Sequence, residues 1–247
     1  MQDILIFIIF LISLFFVGRR IYQEFSAKDG CAKGCGDCSI AKTPISNNKI
    51  SMAFGFFKKK KKKENTDSRF LNLTIKEVVR ETEDAVSLVF EEPESGKLSY
   101  KPGQFITLIA TIGGKKVRRA YSLCSSPYLN ENPAVTIKRV DNGVMSNYIN
   151  TSLKAGDQIE IMEPMGSFTP EIKSTNKRHI VLIGGGSGVT PLMSIAKSVL
   201  SEEKESKVSL IYANRDESSI IFNATLANLQ EQYPDNFNVV HFLENAP

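Results

Sequence analysis

Over residues 69–247 the spacing of apolar residues changes once, near residue 175, and that change limits the folds open to this part of the chain. Before it, apolar residues fall in short alternating runs: Leu71–Ile75, Ala85–Phe90, Phe105–Ile109, Ala120–Leu123, Ala134–Val140 and Gln158–Met162. Turn signals separate them at Pro93, Gly96, Pro102-Gly103 and Gly113-Gly114, which predicts an antiparallel six-stranded β-barrel over residues 69–172. After it, His179–Ile183 is continuously apolar and runs through Gly184-Gly185-Gly186-Ser187-Gly188-Val189-Thr190-Pro191 into an amphipathic helix beginning at Pro191. A further strand at Val208–Ala213, a helix at Ile220–Gln232 and a strand at Phe237–Phe242 complete an α/β parallel-sheet pattern over residues 177–247. A strand, a glycine loop and a helix in that order bring backbone N–H groups up to a dinucleotide phosphate.

The N-terminal third is of another kind. Ile4–Val17 is almost unbroken apolar sequence, and with its neighbours it reaches ~18 residues, near the lower limit of about 17 for a membrane span. Arg19, Arg20 and Lys28 follow the run rather than precede it, and no small-x-small cleavage site is evident, so a single transmembrane helix over residues 1–20 is expected in place of a cleaved signal peptide. The positive-inside rule then puts the rest of the chain in the cytoplasm, at the cell membrane. Residues 21–42 hold Cys31, Cys35 and Cys38, glycine-spaced so that three thiolates can converge on a soft metal or an iron–sulfur centre. Loosely ordered thiols without metal are the bland alternative. Residues 43–68 lack apolar periodicity and include six consecutive lysines, Lys58–Lys63; they read as a linker, either plainly solvated or resting on anionic membrane lipid. These lysines account for the net charge of +4, so the basic balance carries no nucleic-acid reading. Met52 is a plausible start for a separate soluble protein, which makes the chain read as a fusion of two units.

Two motifs carry the chemistry. Arg118-Arg119-Ala120-Tyr121-Ser122 lies about sixty residues before the glycine loop, and Pro102-Gly103-Gln104-Phe105 precedes it; Gly143-Val144-Met145-Ser146 leads into a helix-like segment at Asn147–Leu153 with Ser146 as its expected cap. In this order they resemble the ferredoxin-NADP reductase superfamily over residues 69–247, and within it the oxygenase-reductase branch of the phenylacetyl-CoA epoxidase reductase. The N-terminal span with its Cys-rich tail resembles the FeoB-associated Cys-rich membrane proteins over residues 1 to about 40, which implies metal handling.

The reductase resemblance implies FAD and NADP or NAD as cofactors. Arg119 would hold the flavin pyrophosphate, its guanidinium matching phosphate oxygens. Tyr121 would pack on the isoalloxazine and Ser122 would hydrogen-bond near the atom that accepts hydride, with Ala120 between them in the motif; Tyr121 and Ser122 are the expected catalytic pair. Gly143, Val144, Met145 and Ser146 would present free N–H groups to the pyrophosphate, and Lys138 would lie along the flavin. Pro164-Met165-Gly166-Ser167-Phe168 matches a turn of the family, and a purely structural turn is an equal reading. Gly184, Gly185, Gly186, Ser187, Gly188, Thr190 and Pro191 would cradle the nicotinamide nucleotide. Arg215, at a strand's carboxyl end, would meet the 2′-phosphate of NADP and favours NADPH, although Asp216 and Glu217 beside it blunt the preference. Cys124 reads as a buried small hydrophobe. The family's pattern continues beyond Pro247 with further strands and either an aromatic C-terminus or a ferredoxin domain of the 2Fe-2S type, so the resemblance implies that the nicotinamide domain is C-terminally incomplete, its first strand left with an open edge. The implied activity is electron transfer from NAD(P)H through FAD to a ferredoxin or oxygenase-type iron–sulfur acceptor; the alternative is a metal-handling membrane protein with a fused reductase.

Overall fold

A computed structural model describes residues 70–245. The expected transmembrane helix, the cysteine triplet and the lysine linker lie outside the described residues. Among the described residues no helix is long and apolar enough to cross a membrane, and no cluster of metal-ligating side chains forms.

Six strands make the first sheet: β1 (Phe70–Thr82), β2 (Ala85–Phe90), β3 (Phe105–Ile112), β4 (Lys115–Ser122), β5 (Ala134–Lys138) and β6 (Gln158–Met165), in the antiparallel order β4-β3-β6-β1-β2-β5. The first strand continues well past Ile75, where its expected span ends, because β1 serves two neighbours. Its first half pairs with β6 from Phe70 to Thr74, and its second half pairs with β2 from Ile75 to Thr82. Register shifts at Ile75/Glu77 and Arg80/Thr82 break the alternation that a sequence pattern relies on. Such shifts bend a strand and increase its twist, and here they curl the sheet. The two edges approach one another, and an isolated bridge between Leu123 and Val135 joins them, so the sheet is curled rather than paired continuously around a ring. Inside the curl, Leu73, Ile75, Leu88, Phe90, Ile106, Leu108, Ile137 and Ile161 form a closed core, each such side chain worth about 1.5–3 kcal/mol of burial.

Helix α1 (Val144–Ser152) covers one end of this core with Met145 and Ile149. It starts three residues before its expected position. Gly143, not Ser146, occupies the N-cap, and no side chain caps the helix. The Ser146 hydroxyl instead turns back into the preceding loop, accepting from the Val140 N–H at 3.1 Å and donating to the Gly143 carbonyl at 3.3 Å.

The second sheet is parallel, in the order β7 (His179–Gly185), β8 (Lys207–Asn214), β9 (Phe237–Leu243). Helix α2 (Val189–Glu202) links β7 to β8, and α3 (Asn223–Gln232) links β8 to β9. Both crossovers step the same way across the sheet, and right-handed crossovers of that kind place their helices on one face. Leu182, Leu210 and Tyr212 pack beneath them in a common core with Ile195, Val199 and Leu226. Val181, Ile183, Val240 and Phe242 point the other way and are exposed, and β7 is an edge strand among the described residues. The last helix begins three residues later than the apolar pattern predicts. Phe222 adopts a left-handed conformation with φ 65°, and Ile220, Ile221 and Phe222 leave the helix to plug the core: burial of three large side chains outweighs helix propensity there.

Candidate functional site

Two clefts meet at one lysine. The first is a cavity of about 350 Å³ lined by Arg119, Ala120, Tyr121, Lys138, Val140 and Gly143–Ser146. Strand β4 supplies the first three, β5 ends at the fourth, and the start of α1 supplies the last group. Pairing with β3 sets their register, Leu108 opposite Arg119 and Ile106 opposite Tyr121. Because side chains alternate along a strand, Arg119 and Tyr121 project to the same side. Arg118 projects to the other, its guanidinium 5.9 Å from the centre of the Phe70 ring.

The cavity suits an anion with a flat aromatic part. It offers Arg119 and Lys138 and contains no carboxylate in its lining. The exposed Arg119 guanidinium donates to the Arg118 carbonyl at 2.8 Å and bonds no carboxylate among the described residues. The first turn of α1 has no acidic residue and no side-chain cap, so its early N–H groups remain available to a ligand. Gly143 is required by space. A Cβ there would stand 2.5 Å from the Ser146 hydroxyl and 3.0 Å from the Val140 carbonyl oxygen. Tyr121 is half-buried against the first core; burial raises its phenol above the ordinary value, with Arg119 pulling the other way. Of the four-residue segment, Val144 is exposed and Gly143 half-buried, while Met145 and Ser146 are buried. Ser122 ends β4 opposite Phe105, outside this lining.

The turns before and after this region lock one another. Gly103, at φ 89°, lies so close to the Phe168 backbone that a Cβ would stand 2.0 Å from its carbonyl oxygen, and Gly166, at φ 124°, packs on the Phe105 ring. Gln104 spans the pair, donating to the Gly166 carbonyl at 3.2 Å. The two glycine motifs therefore act on each other, and neither contributes to the cavity lining.

The second cleft is an open cavity of about 500 Å³ at the carboxyl ends of the parallel strands, lined by Gly186, Ala213, Asn214, Arg215, Phe242 and Glu244, with Lys138 reaching it from the first sheet. Carboxyl ends of parallel strands are where α/β sheets take nucleotides. Gly184 and Gly185 close β7, Gly186–Gly188 form a single 3₁₀ turn, and Val189 opens α2. At Gly184 a Cβ would stand 2.7 Å from the end of the Leu192 side chain, so a larger residue there would require Leu192 to move. Gly186 sits at φ 50°. Ser187 and Gly188 are exposed. Thr190 is buried and donates to the Ser187 carbonyl at 2.8 Å, so it holds the turn from inside. Pro191 falls in the first helical turn, where a missing N–H leaves no bond unmade.

Two participants escape the sequence pattern. Tyr212 is fully buried, and its hydroxyl donates to the Gly186 carbonyl at 2.9 Å; burial pushes that phenol up to about 12. Asp84, in the turn between β1 and β2, lies 3.5 Å from the Lys138 ammonium and 3.2 Å from the Arg215 guanidinium. Only the strand pairing that sets Tyr212 beside Gly184, and the packing of the two sheets, would reveal them. Asp216 is engaged close to home, accepting from the Ser219 N–H and the Ser218 hydroxyl in a local cap, and these bonds hold its carboxyl below the usual range.

Comparison with known proteins agrees with this geometry. Residues 72–169 match the family described as oxidoreductase FAD-binding domain, and residues 182–247 match oxidoreductase NAD-binding domain. This chain belongs to the FAD- and NAD-binding oxidoreductases. Its N-terminus, residues 2–43, matches the FeoB-associated Cys-rich membrane protein family. Within the oxidoreductases the chain is 45% identical over 182 residues to the ferredoxin reductase component of 3-ketosteroid-9-alpha-monooxygenase from Rhodococcus rhodochrous, covering 72% of this chain and 51% of that protein. It is 30% identical over 164 residues to the reductase subunit of glycine betaine monooxygenase from Chromohalobacter salexigens, covering 66% and 44%. The chain thus spans about half the length of the curated relatives it matches. The crystal structure of an Amycolatopsis cytochrome P450 reductase shares the fold with a TM-score of 0.62 at 28% identity, over 72% of this chain and 53% of that one.

Proposed function

We propose that this chain is a reductase that takes hydride equivalents from NAD(P)H onto FAD and passes single electrons to a ferredoxin or oxygenase-type iron–sulfur acceptor. The observation that carries the reading is the pair of clefts joined at Lys138: one cationic and free of carboxylates beside a half-buried tyrosine, the other at the carboxyl ends of a parallel sheet behind a glycine turn. The two relatives named above are reductase components of monooxygenases, which supports the same reading. Bound FAD supplies the conversion of a two-electron donor into one-electron steps. The protein's share is to hold and orient. Arg119 and the N–H groups after Gly143 bind the pyrophosphate, Tyr121 presents its ring to the isoalloxazine, Ser122 offers a hydroxyl near the reacting edge, and Gly186 keeps the nucleotide phosphate close to the backbone.

NADPH is the preferred donor in this reading. Arg215 follows the end of β8, and Asp216, the carboxylate next to it in sequence, is committed to its own cap, which leaves Glu244 as the carboxylate in the lining of this cleft. Arg119→Ala in the full-length protein, purified in detergent, should weaken flavin retention by about 10- to 100-fold, the scale of losing a guanidinium–phosphate contact of about 1.5–3 kcal/mol. Visible flavin absorbance during dialysis reads this directly, and unchanged retention would remove Arg119 from the site.

The match of residues 2–43 to a Cys-rich membrane family favours a second reading at the other end of the chain. There, residues 1–20 anchor the protein in the cell membrane with its catalytic domains in the cytoplasm, Cys31, Cys35 and Cys38 bind a metal or an iron–sulfur centre, and the reductase supplies electrons for metal handling. Metal content of the full-length protein compared with a variant carrying serine at all three positions separates the readings: equal content would dismiss the cluster.

A further inference from the structure

Asp84 faces a cation from each of the two sheets through a single oxygen. Its Oδ1 accepts from the Thr82 hydroxyl at 2.8 Å and its backbone carbonyl accepts from the Arg139 N–H at 2.6 Å, so the residue is fastened to the curled sheet from both ends. Its Oδ2 faces two cations, the Lys138 ammonium at 3.5 Å and the Arg215 guanidinium at 3.2 Å. Lys138 is itself tied in register to Ala85 at the end of β5. Arg215 is the loose member, with 62% of its side chain exposed against 29% for Asp84 and 22% for Lys138.

We propose that Asp84 is a specificity-determining residue of the nicotinamide-nucleotide site, its carboxylate competing with the nucleotide's 2′-phosphate for Arg215. The proposal rests on the reading of Arg215 given above and adds a residue from the opposite domain to it. One carboxylate oxygen shared between two cations in an exposed setting holds neither strongly. A 2′-phosphate brings more than one charge and several acceptor oxygens to the guanidinium, and the planar fork of N–H donors can take two of them at once. The phosphate therefore wins, but against a standing competitor, whereas NAD, with a hydroxyl at that position, leaves the Arg215–Asp84 pair in place. The carboxylate lowers the preference for NADP over NAD without contacting either.

The test is the binding of NADP⁺ and NAD⁺ to the FAD-loaded full-length protein by titration calorimetry, for the parent chain, Asp84→Asn, Arg215→Ala and the double variant. Asp84→Asn keeps the shape and an acceptor for Thr82. It should tighten NADP⁺ binding by about three- to fivefold, the range of an exposed ion pair, and leave NAD⁺ within about twofold. In the Arg215→Ala background the same change should do nothing to the ratio. Asp84→Glu, which retains the charge, should behave as the parent. Equal changes for both nucleotides, weaker NADP⁺ binding, or an effect that persists without Arg215 would overturn the competition while leaving Arg215 as a phosphate ligand. An unaltered NADP⁺/NAD⁺ ratio in Arg215→Ala alone would overturn both. A folding defect in Asp84→Asn would show as a lowered thermal midpoint by circular dichroism, and Asp84→Ser then takes its place with the same expected selectivity.

Discussion

Arg119, Tyr121 and Gly143, which the structure brings to one cavity lining, stand out in the sequence because the proposed roles suit few other side chains. A guanidinium matches a pyrophosphate, an aromatic ring covers a flavin, and a glycine fits where a Cβ would collide with Ser146 and Val140. Gly103 is the sharpest instance at this scale. Its φ of 89° and the 2.0 Å approach of any Cβ to the Phe168 carbonyl leave no relaxed state for a larger residue, because the obstruction is backbone. Gly103→Ala should lower stability by about 3 kcal/mol or more, read as a shift of the urea midpoint. A midpoint within error of the parent would show that the two turns are not pressed together. Asp84 and Tyr212 are illegible for the opposite reason. An aspartate in a turn and a tyrosine in a strand are ordinary residues, and their partners, Arg215 and the Gly186 carbonyl, are distant in sequence.

At the scale of elements, strand existence follows from alternation, and expected boundaries fail where a bulge or a core plug intervenes. Helix α2 shows how an element end is secured. Glu203, at its C-terminal cap, is fully buried and accepts from Arg178 at 2.7 and 3.1 Å, Asn176 at 2.7 Å and Ser206 at 2.8 Å. Burial alone would raise this carboxyl, but the bonds from Arg178, Asn176 and Ser206 together outweigh it and hold the group below the ordinary carboxylate range. A carboxyl that binds its proton less tightly folded than unfolded contributes its stability above the unfolded value of about 4.5 and loses it as pH falls through the folded one. Glu203→Gln should therefore cost about 2–3 kcal/mol at pH 7, and the gap between variant and parent in denaturant midpoint should narrow as the pH is lowered below 4.5. A constant gap across that range would mean the charge contributes nothing.

For the whole described body, the two sheets are joined by a seam that is both apolar and hydrogen-bonded. Ala85, Cys124 and Ala134 of the first sheet belong to the same core as α2 and Phe222. Across the seam Ser194 donates to the Ser125 carbonyl at 2.6 Å, Ser126 meets Ser198 at 2.8 Å, and Lys197 pairs with Glu131 at 2.9 Å. Buried hydroxyls that are all partnered carry no desolvation penalty and fix the relative orientation of what they join. The body should unfold as one cooperative unit. Cys124 reports on this, since it is 5% exposed at the seam and its Sγ donates to the Ala134 carbonyl, with burial pushing the thiol up to about 11. With serine at positions 31, 35 and 38, the Cys124 thiol should react with a disulfide reagent at the rate of global unfolding seen by circular dichroism. Reaction much faster than that would show the sheets separating on their own.

What the sequence by itself determined is whatever depends on near neighbours: the two periodicities, the glycine turn between strand and helix, the arginine–tyrosine motif, and hence the family. These are set by local sterics and by the face each side chain must bury. The tertiary structure decided the rest. That Lys138 belongs to both clefts, that Asp84 faces Arg215 across 131 positions of chain, that Ser146 ties a loop instead of capping α1, and that Phe222 leaves a helix to fill a core all depend on contacts the local pattern does not encode. Burial and charge pairing there outweigh local preference, and no pattern along the chain records which distant segment will supply the partner.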